Sequence, residues 1–149
     1  MSLEGVCRLK KILIICMLCF GIISLAGCGE EKEENKMKVS IGNSVFTATL
    51  ENNSAVDSLI EMMKNEPIVI DMSDYSGFEK VGSLGKSLPA NNRQTTTQSG
   101  DIVLYNGNQI VIFYGSNSWS YTRIGRIDDL SGWEDALGSG SVTVTFSID

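Results

Sequence analysis

The dipeptide Asn106-Gly107, set between apolar runs at 101–105 and 109–114, constrains the fold more than any other feature of the chain. Both residue types tolerate left-handed backbone, so they specify a tight antiparallel hairpin between two strands. The run Ile110-Val111-Ile112-Phe113-Tyr114 is apolar on both faces, as a strand covered on both sides requires. The same pattern recurs along the chain. Val39 and Ile41, then residues 45–50, flank the turn pair Gly42-Asn43. Residues 67–72 read as a strand opened by Pro67, at the position where a missing N–H is tolerated. Residues 121–128 form another, and Val142, Val144 and Phe146 alternate with Thr143, Thr145 and Ser147 in a last one.

Two helices interrupt this series. Val56, Leu59, Ile60 and Met63 make one apolar stripe, with Asn53 or Ser54 to cap it and Asp57 favouring its dipole. A second, at about 131–137, has Ser131 and Glu134 spaced as a capping box and Gly138 to end it. Residues 77–100 read as a long polar loop, of the kind usually reserved for function or motion. Many short strands with two small helices indicate a mainly β fold, a barrel or a sandwich. A chain of 149 residues, 42% apolar, supports one such domain.

Composition excludes several chemistries. With 0 histidines the chain has no His-type zinc site, no Ser-His-Asp or Cys-His nucleophile and no imidazole acid–base catalyst. A net charge of −6 lacks the basic footprint that nucleic acid demands. Nothing in the sequence implies a metal or a cofactor.

The N-terminus reads as an address. Arg8, Lys10 and Lys11 precede an uncharged run from Ile12 to Gly27, which ends in Leu25-Ala26-Gly27-Cys28. A helix of that length spans about 24 Å, short of the roughly 30 Å hydrocarbon core. The Leu-Ala-Gly-Cys string resembles a bacterial lipobox. That resemblance implies cleavage after residue 27, lipidation of Cys28 with palmitate-type chains, and anchoring on the outer face of a bacterial cell envelope. Cys7, Cys16 and Cys19 leave with residues 1–27, so no free thiol remains on the exported part. Residues 28–36 then form a lipidated cysteine and a charged tether, and 37–149 the domain.

Over that domain a second resemblance emerges. It rests on Asp74-Tyr75 with Gly77, on Lys86-Ser87-Leu88-Pro89, on residues 99–105, and on Tyr121-Thr122-Arg123-Ile124-Gly125-Arg126-Ile127-Asp128. The closing Ala136-Leu137-Gly138-Ser139-Gly140, followed by residues 142–146, completes the series. In this order they resemble the bacterial cyclophilin-like fold proteins, a family without one established activity. The resemblance implies a closed eight-stranded barrel with helices closing its ends. Gln98-Ser99-Gly100-Asp101 is similar to the Gln-Gly-Gly-Asp string of the prolyl isomerases that share the barrel. Arg93 lies closer to it than their catalytic arginine does, and Asn91-Asn92 replace Phe-His.

Candidate site residues follow. Tyr75, Trp119 and Tyr121 are read either as one wall of a ligand pocket or as half-buried packing. Arg123 and Arg126, three apart, point to opposite faces of a regular strand. One would face a groove with Tyr121 and the other pair with Asp128 or Asp129; a guanidinium in the groove would suit a ligand carboxylate, phosphate or carbonyl. Arg93 and Gln98 join this set through the isomerase-like string. Asp71 with Asp74, and Asp128 with Asp129, read as solvated or capping carboxylates rather than shared sites. Ser83 and Lys86 have Ser-x-x-Lys spacing, but Gly82 and Gly85 oppose the helix it needs. The functional expectation is a membrane-anchored module for an extended peptide or small ligand, with a divergent prolyl isomerase as the alternative. Replacement Cys28→Ser should abolish incorporation of radiolabelled fatty acid and release the protein from membranes without unfolding the domain; label retained on the mutant contradicts the anchor.

Overall fold

The computed structural model describes residues 35–149. The signal segment 1–27, Cys28 and the tether up to residue 34 lie outside the described residues. Nine strands and two helices follow, in the order β1 (Lys36–Ile41), β2 (Ser44–Leu50), α1 (Ser54–Asn65), β3 (Ile68–Tyr75), β4 (Glu79–Ser83), β5 (Arg93–Thr96), β6 (Asp101–Tyr105), β7 (Gln109–Phe113), β8 (Ser118–Ile127), α2 (Trp133–Leu137) and β9 (Val142–Ser147). The first strand opens at Lys36.

Every pairing is antiparallel. Eight strands run β1-β2-β8-β6-β7-β4-β3-β9 and return to β1, closing a barrel, while β5 attaches outside it along β8. The barrel, not the sandwich, is the architecture. Closure depends on Gly125 of β8. A Cβ there would lie 2.5 Å from the Thr49 carbonyl oxygen of β2, a backbone atom that cannot move without opening the seam.

Alternation along each strand sends one set of side chains inward. Val39, Phe46, Ala48, Ile70, Met72, Ile102, Leu104, Ile110, Ile112, Ile124 and Val144 fill the interior, all under 9% exposed. From α1, Val56, Leu59 and Met63 join this core, and from α2, Trp133 and Leu137. The helices follow the C-terminal ends of β2 and β8, which are antiparallel neighbours, so they close opposite openings of the barrel.

Local chemistry explains these ends. Asn53 Oδ1 accepts from the Val56 N–H at 2.9 Å, the cap the sequence suggested. The same side chain donates to the Arg123 carbonyl at 2.8 Å, tying α1 to β8. The capping box expected for α2 does not form. Gly132, at φ 77°, stands at its N-cap without a side-chain cap, and Ser131 instead donates its N–H to Asp129 Oδ1 at 2.9 Å. Trp133 anchors that helix, edge-on to Phe46 at 5.0 Å and donating to the Phe113 carbonyl at 2.9 Å.

The expected loop 77–100 contains two strands, β4 and β5. Periodicity missed β4 because charged Glu79 and Lys80 stand side by side at its start. Lys80 points into the α2 end of the barrel, fully buried. Its ammonium donates to the Gly138 and Gly140 carbonyls at 2.9 and 2.7 Å and pairs with Asp74 at 3.1 Å, with the Tyr114 ring 5.3 Å away. A buried ammonium is tolerable only with such compensation. It pins the α2–β9 connection to β4. The hairpin at Asn106-Gly107 is a three-residue loop, since Tyr105 pairs with Gln109, and both named residues have positive φ.

Gly125→Ala should cost about 1–3 kcal/mol, read as a lower denaturation midpoint, because the added methyl overpacks a seam bounded by backbone. Gly132→Ala meets nothing within 4 Å but forces an L residue to φ 77°, so it reads the cost of left-handed backbone without overpacking.

Candidate functional site

The outward face of β4 carries the other half of its alternation. Glu79 and Val81 stand opposite Phe113 and Val111 of β7, which form a second, smaller apolar cluster with Val103 and Tyr121 against which Val81 packs. Phe78 and Tyr105 pack against that cluster. Over it lies a cavity of about 560 Å³ lined by Tyr75, Phe78, Glu79, Val81, Tyr105, Asn117, Trp119 and Tyr121, among others. The rings interlock edge-on: Tyr75 on Phe78 at 5.9 Å, Tyr105 on Tyr121 at 6.1 Å, and Tyr121 on Phe113 at 5.8 Å. Tyr75 and Trp119 are each 57% exposed, while Tyr121 is 4% and Glu79 7% exposed. Two flat side chains thus stand in solvent above a closed base.

Tyr75, Trp119 and Tyr121, read from the sequence as a pocket wall or as half-buried packing, all line this one cavity. Glu79 and Tyr105 were not among the expected residues. Glu79 hides beside Lys80 in an apparently charged loop, and Tyr105 looks like the last residue of a hairpin strand. The legible signal was the alternation Glu79, Val81 against Lys80, Gly82.

Glu79 is the unusual group. Its Oε2 is sealed from solvent and has no hydrogen-bond partner among the described residues. Burial pushes the carboxyl up to about 7. Nearby, the Tyr121 hydroxyl accepts from Asn117 Nδ2 at 2.9 Å, and burial raises its pKa. Asp74, also on the lining, is fully engaged: it accepts from the Tyr114 hydroxyl and from Lys80, which together hold its carboxyl below the usual range. The same hydrogen bond pushes Tyr114 up to about 12.

The arginines lie elsewhere. Arg93, the register partner of Tyr121, and Arg123 line a separate polar groove of about 570 Å³ with Asn53 and Thr122. Tyr121 borders both spaces. The expectation that Arg123 and Arg126 point to opposite faces fails. A β-bulge leaves Ile124 without a partner on β6, because Val103 pairs with Arg123 and the next residue, Ile102, with Gly125. Both guanidiniums therefore reach the buried Asp101, at 3.6 and 3.8 Å, and neither pairs with Asp128 or Asp129. Gln98 is occupied too, accepting from Arg126 at 3.0 Å and donating its N–H to Asp101 at 2.8 Å. The isomerase-like string 98–101 is a structural turn here, and Gln98 lines neither cavity.

The remaining carboxylates are ordinary. Asp71 accepts from Thr143, Asp128 from Thr49 and Lys36, and Asp129 from Ser131. Ser83 Oγ accepts from the Gly85 N–H at 3.2 Å with no helix to bring Lys86 beside it.

A carboxyl whose folded pKa is raised is most stabilising while protonated. Its contribution is complete below about 4.5 and disappears as pH rises through about 7. Relative to Glu79→Gln, the wild type should therefore lose about 3 kcal/mol of stability between pH 5 and pH 8. Denaturation at both pH values measures it, and the chain has 0 histidines to titrate in the same window.

Comparison with known proteins agrees with the architecture. The solution structure of a hypothetical protein from Archaeoglobus fulgidus is similar with a TM-score of 0.53 and 15% identity, over 80% of this chain and 98% of that one. At that identity the likeness concerns the fold alone. No curated protein matches. The cyclophilin-like family matches residues 39–147, from the first interior valine of β1 to the last residue of β9. With its closed barrel, its two capping helices and that match, the chain belongs to the cyclophilin-like family.

Proposed function

We propose that this chain is a binding module, taking an extended peptide or a small ligand in the aromatic pocket on the outer face of its barrel. We further propose that a lipid on Cys28 holds it at the outer face of a bacterial envelope, with the acidic segment before β1 as spacer. The observation that carries the binding reading is the combination at Glu79. A sealed carboxyl oxygen on a cavity lining, unpartnered among the described residues, is costly to a folded protein, and a partner bound in that cavity would offset the cost. Exposed Tyr75 and Trp119 at the rim supply apolar area for whatever enters.

A second reading rests on the polar groove. Rotating a prolyl amide has a barrier of about 20 kcal/mol and needs only an apolar seat and a donor aimed at the twisting nitrogen or carbonyl. Arg93 and Arg123, on either side of Tyr121, are donors of that kind.

Full-length protein in detergent, titrated against short peptides and small molecules, should give a saturable change in Trp119 emission; Trp133 is only 1% exposed and contributes a constant background. Tyr75→Ala should weaken the response at least about tenfold, the scale of one lost aromatic contact. No saturable response from any compound removes the binding reading. Faster proline isomerisation that Arg93→Ala and Arg123→Ala each abolish would move the function to the groove.

A further inference from the structure

The pocket reading can be taken to a ligand class. We propose that the cavity over Glu79 selects an organic ammonium group carried on an apolar stem; the inference rests on the binding reading above. Its lining holds two carboxylates, Asp74 and Glu79, and neither Lys nor Arg. Asp74 is already satisfied by Lys80 and Tyr114. Glu79 is not, and its chain neighbour Lys80 cannot turn to meet it, being on the opposite side of the barrel wall with its ammonium fixed by two carbonyls. Glu79 nevertheless lines the cavity, so an ammonium there pairs with the carboxylate once the side chain turns Oε2 toward it.

The surroundings favour a cation. Tyr75, Tyr105, Trp119 and Tyr121 present ring systems whose electron-rich faces attract ammonium, most strongly where water is excluded. Phe78 and Val81 offer the apolar surface that a methylene stem requires. An anionic ligand would face the uncompensated Glu79 carboxylate, and a neutral apolar one would leave Glu79 as it is. A lysine side chain or the amino end of a peptide fits this chemistry, and so does a free alkylamine.

Pairing requires the ionised carboxylate, and burial pushes the pKa of that group up to about 7. An alkylammonium remains charged throughout this range. Its affinity should therefore be about tenfold weaker at pH 6 than at pH 8.

Full-length protein in detergent is titrated with n-butylammonium, with a short lysine-bearing peptide free of tryptophan, and with n-butanol and butyrate as the neutral and anionic counterparts. Trp119 emission is the readout, at pH 6 and pH 8. The expected result is saturable binding of an ammonium probe at least about tenfold tighter than n-butanol. The pH dependence above should accompany it, and both should be lost in Glu79→Gln, which keeps the side chain's shape. Whether the peptide or the free amine binds more tightly tells which source the pocket prefers. Equal binding of n-butanol, or a Glu79→Gln protein with unchanged preference, overturns the cation assignment and leaves the pocket standing. Silence from all four probes overturns both.

Discussion

The β2–β8 seam is the constraint on which the rest of this molecule depends. An antiparallel sheet of eight strands closes only if its first and last neighbours approach within hydrogen-bonding range along their backbones, and here they do so over three residues at Gly125. Closure leaves no free edge in the ring and gives the core a lumen that two helices can stopper. It also fixes where β8 has to go. Ten residues long, β8 serves the wall with its second half and leaves it with its first, where Ser118 to Tyr121 pair with β5. That departure creates two hollows with Tyr121 between them, one aromatic and one basic. Site and seam are thus products of one strand.

Charge is handled in two opposite ways within four ångströms of chain. Lys80 enters a barrel end that supplies two carbonyls, a carboxylate and a ring, so its burial is compensated from all sides. Glu79 enters an aromatic hollow that supplies nothing to Oε2. Proteins that satisfy local rules nearly everywhere and break one at a concave surface usually break it for a reason connected with binding. Asp101 provides the contrast on the same outer face. It is equally buried but takes a backbone N–H and two arginines, which marks it as part of the scaffold.

Much of the scaffold was legible in the residues. Alternation at 142–146, the capping Asn53, the turn residues of 106–107 and the apolar run of β7 act over a few positions and answer to propensity alone. What escaped depended on partners distant in the chain. Glu79-Lys80 looked like loop because each charge has its own three-dimensional setting, one against Gly138 and Gly140 some sixty residues on. The bulge at Ile124 has no sequence signature, and without it the spacing of Arg123 and Arg126 argued for opposite faces. The aromatic wall was partly foreseen because exposed Tyr and Trp are conspicuous by type; the acid beneath it was not, because only burial makes a glutamate unusual.

The adjacency of Glu79 and Lys80 also bears on how the chain finds its alignment. Were β4 to slide by one position against β3 and β7, the acid would enter a greasy lumen facing carbonyl oxygens and the amine would stand among rings outside. Each error strands a charge, so the two neighbours together act as a proofreading device. They penalise a misthreaded strand from both sides of the sheet at once, in a stretch too short and too polar for apolar alternation to do so unaided.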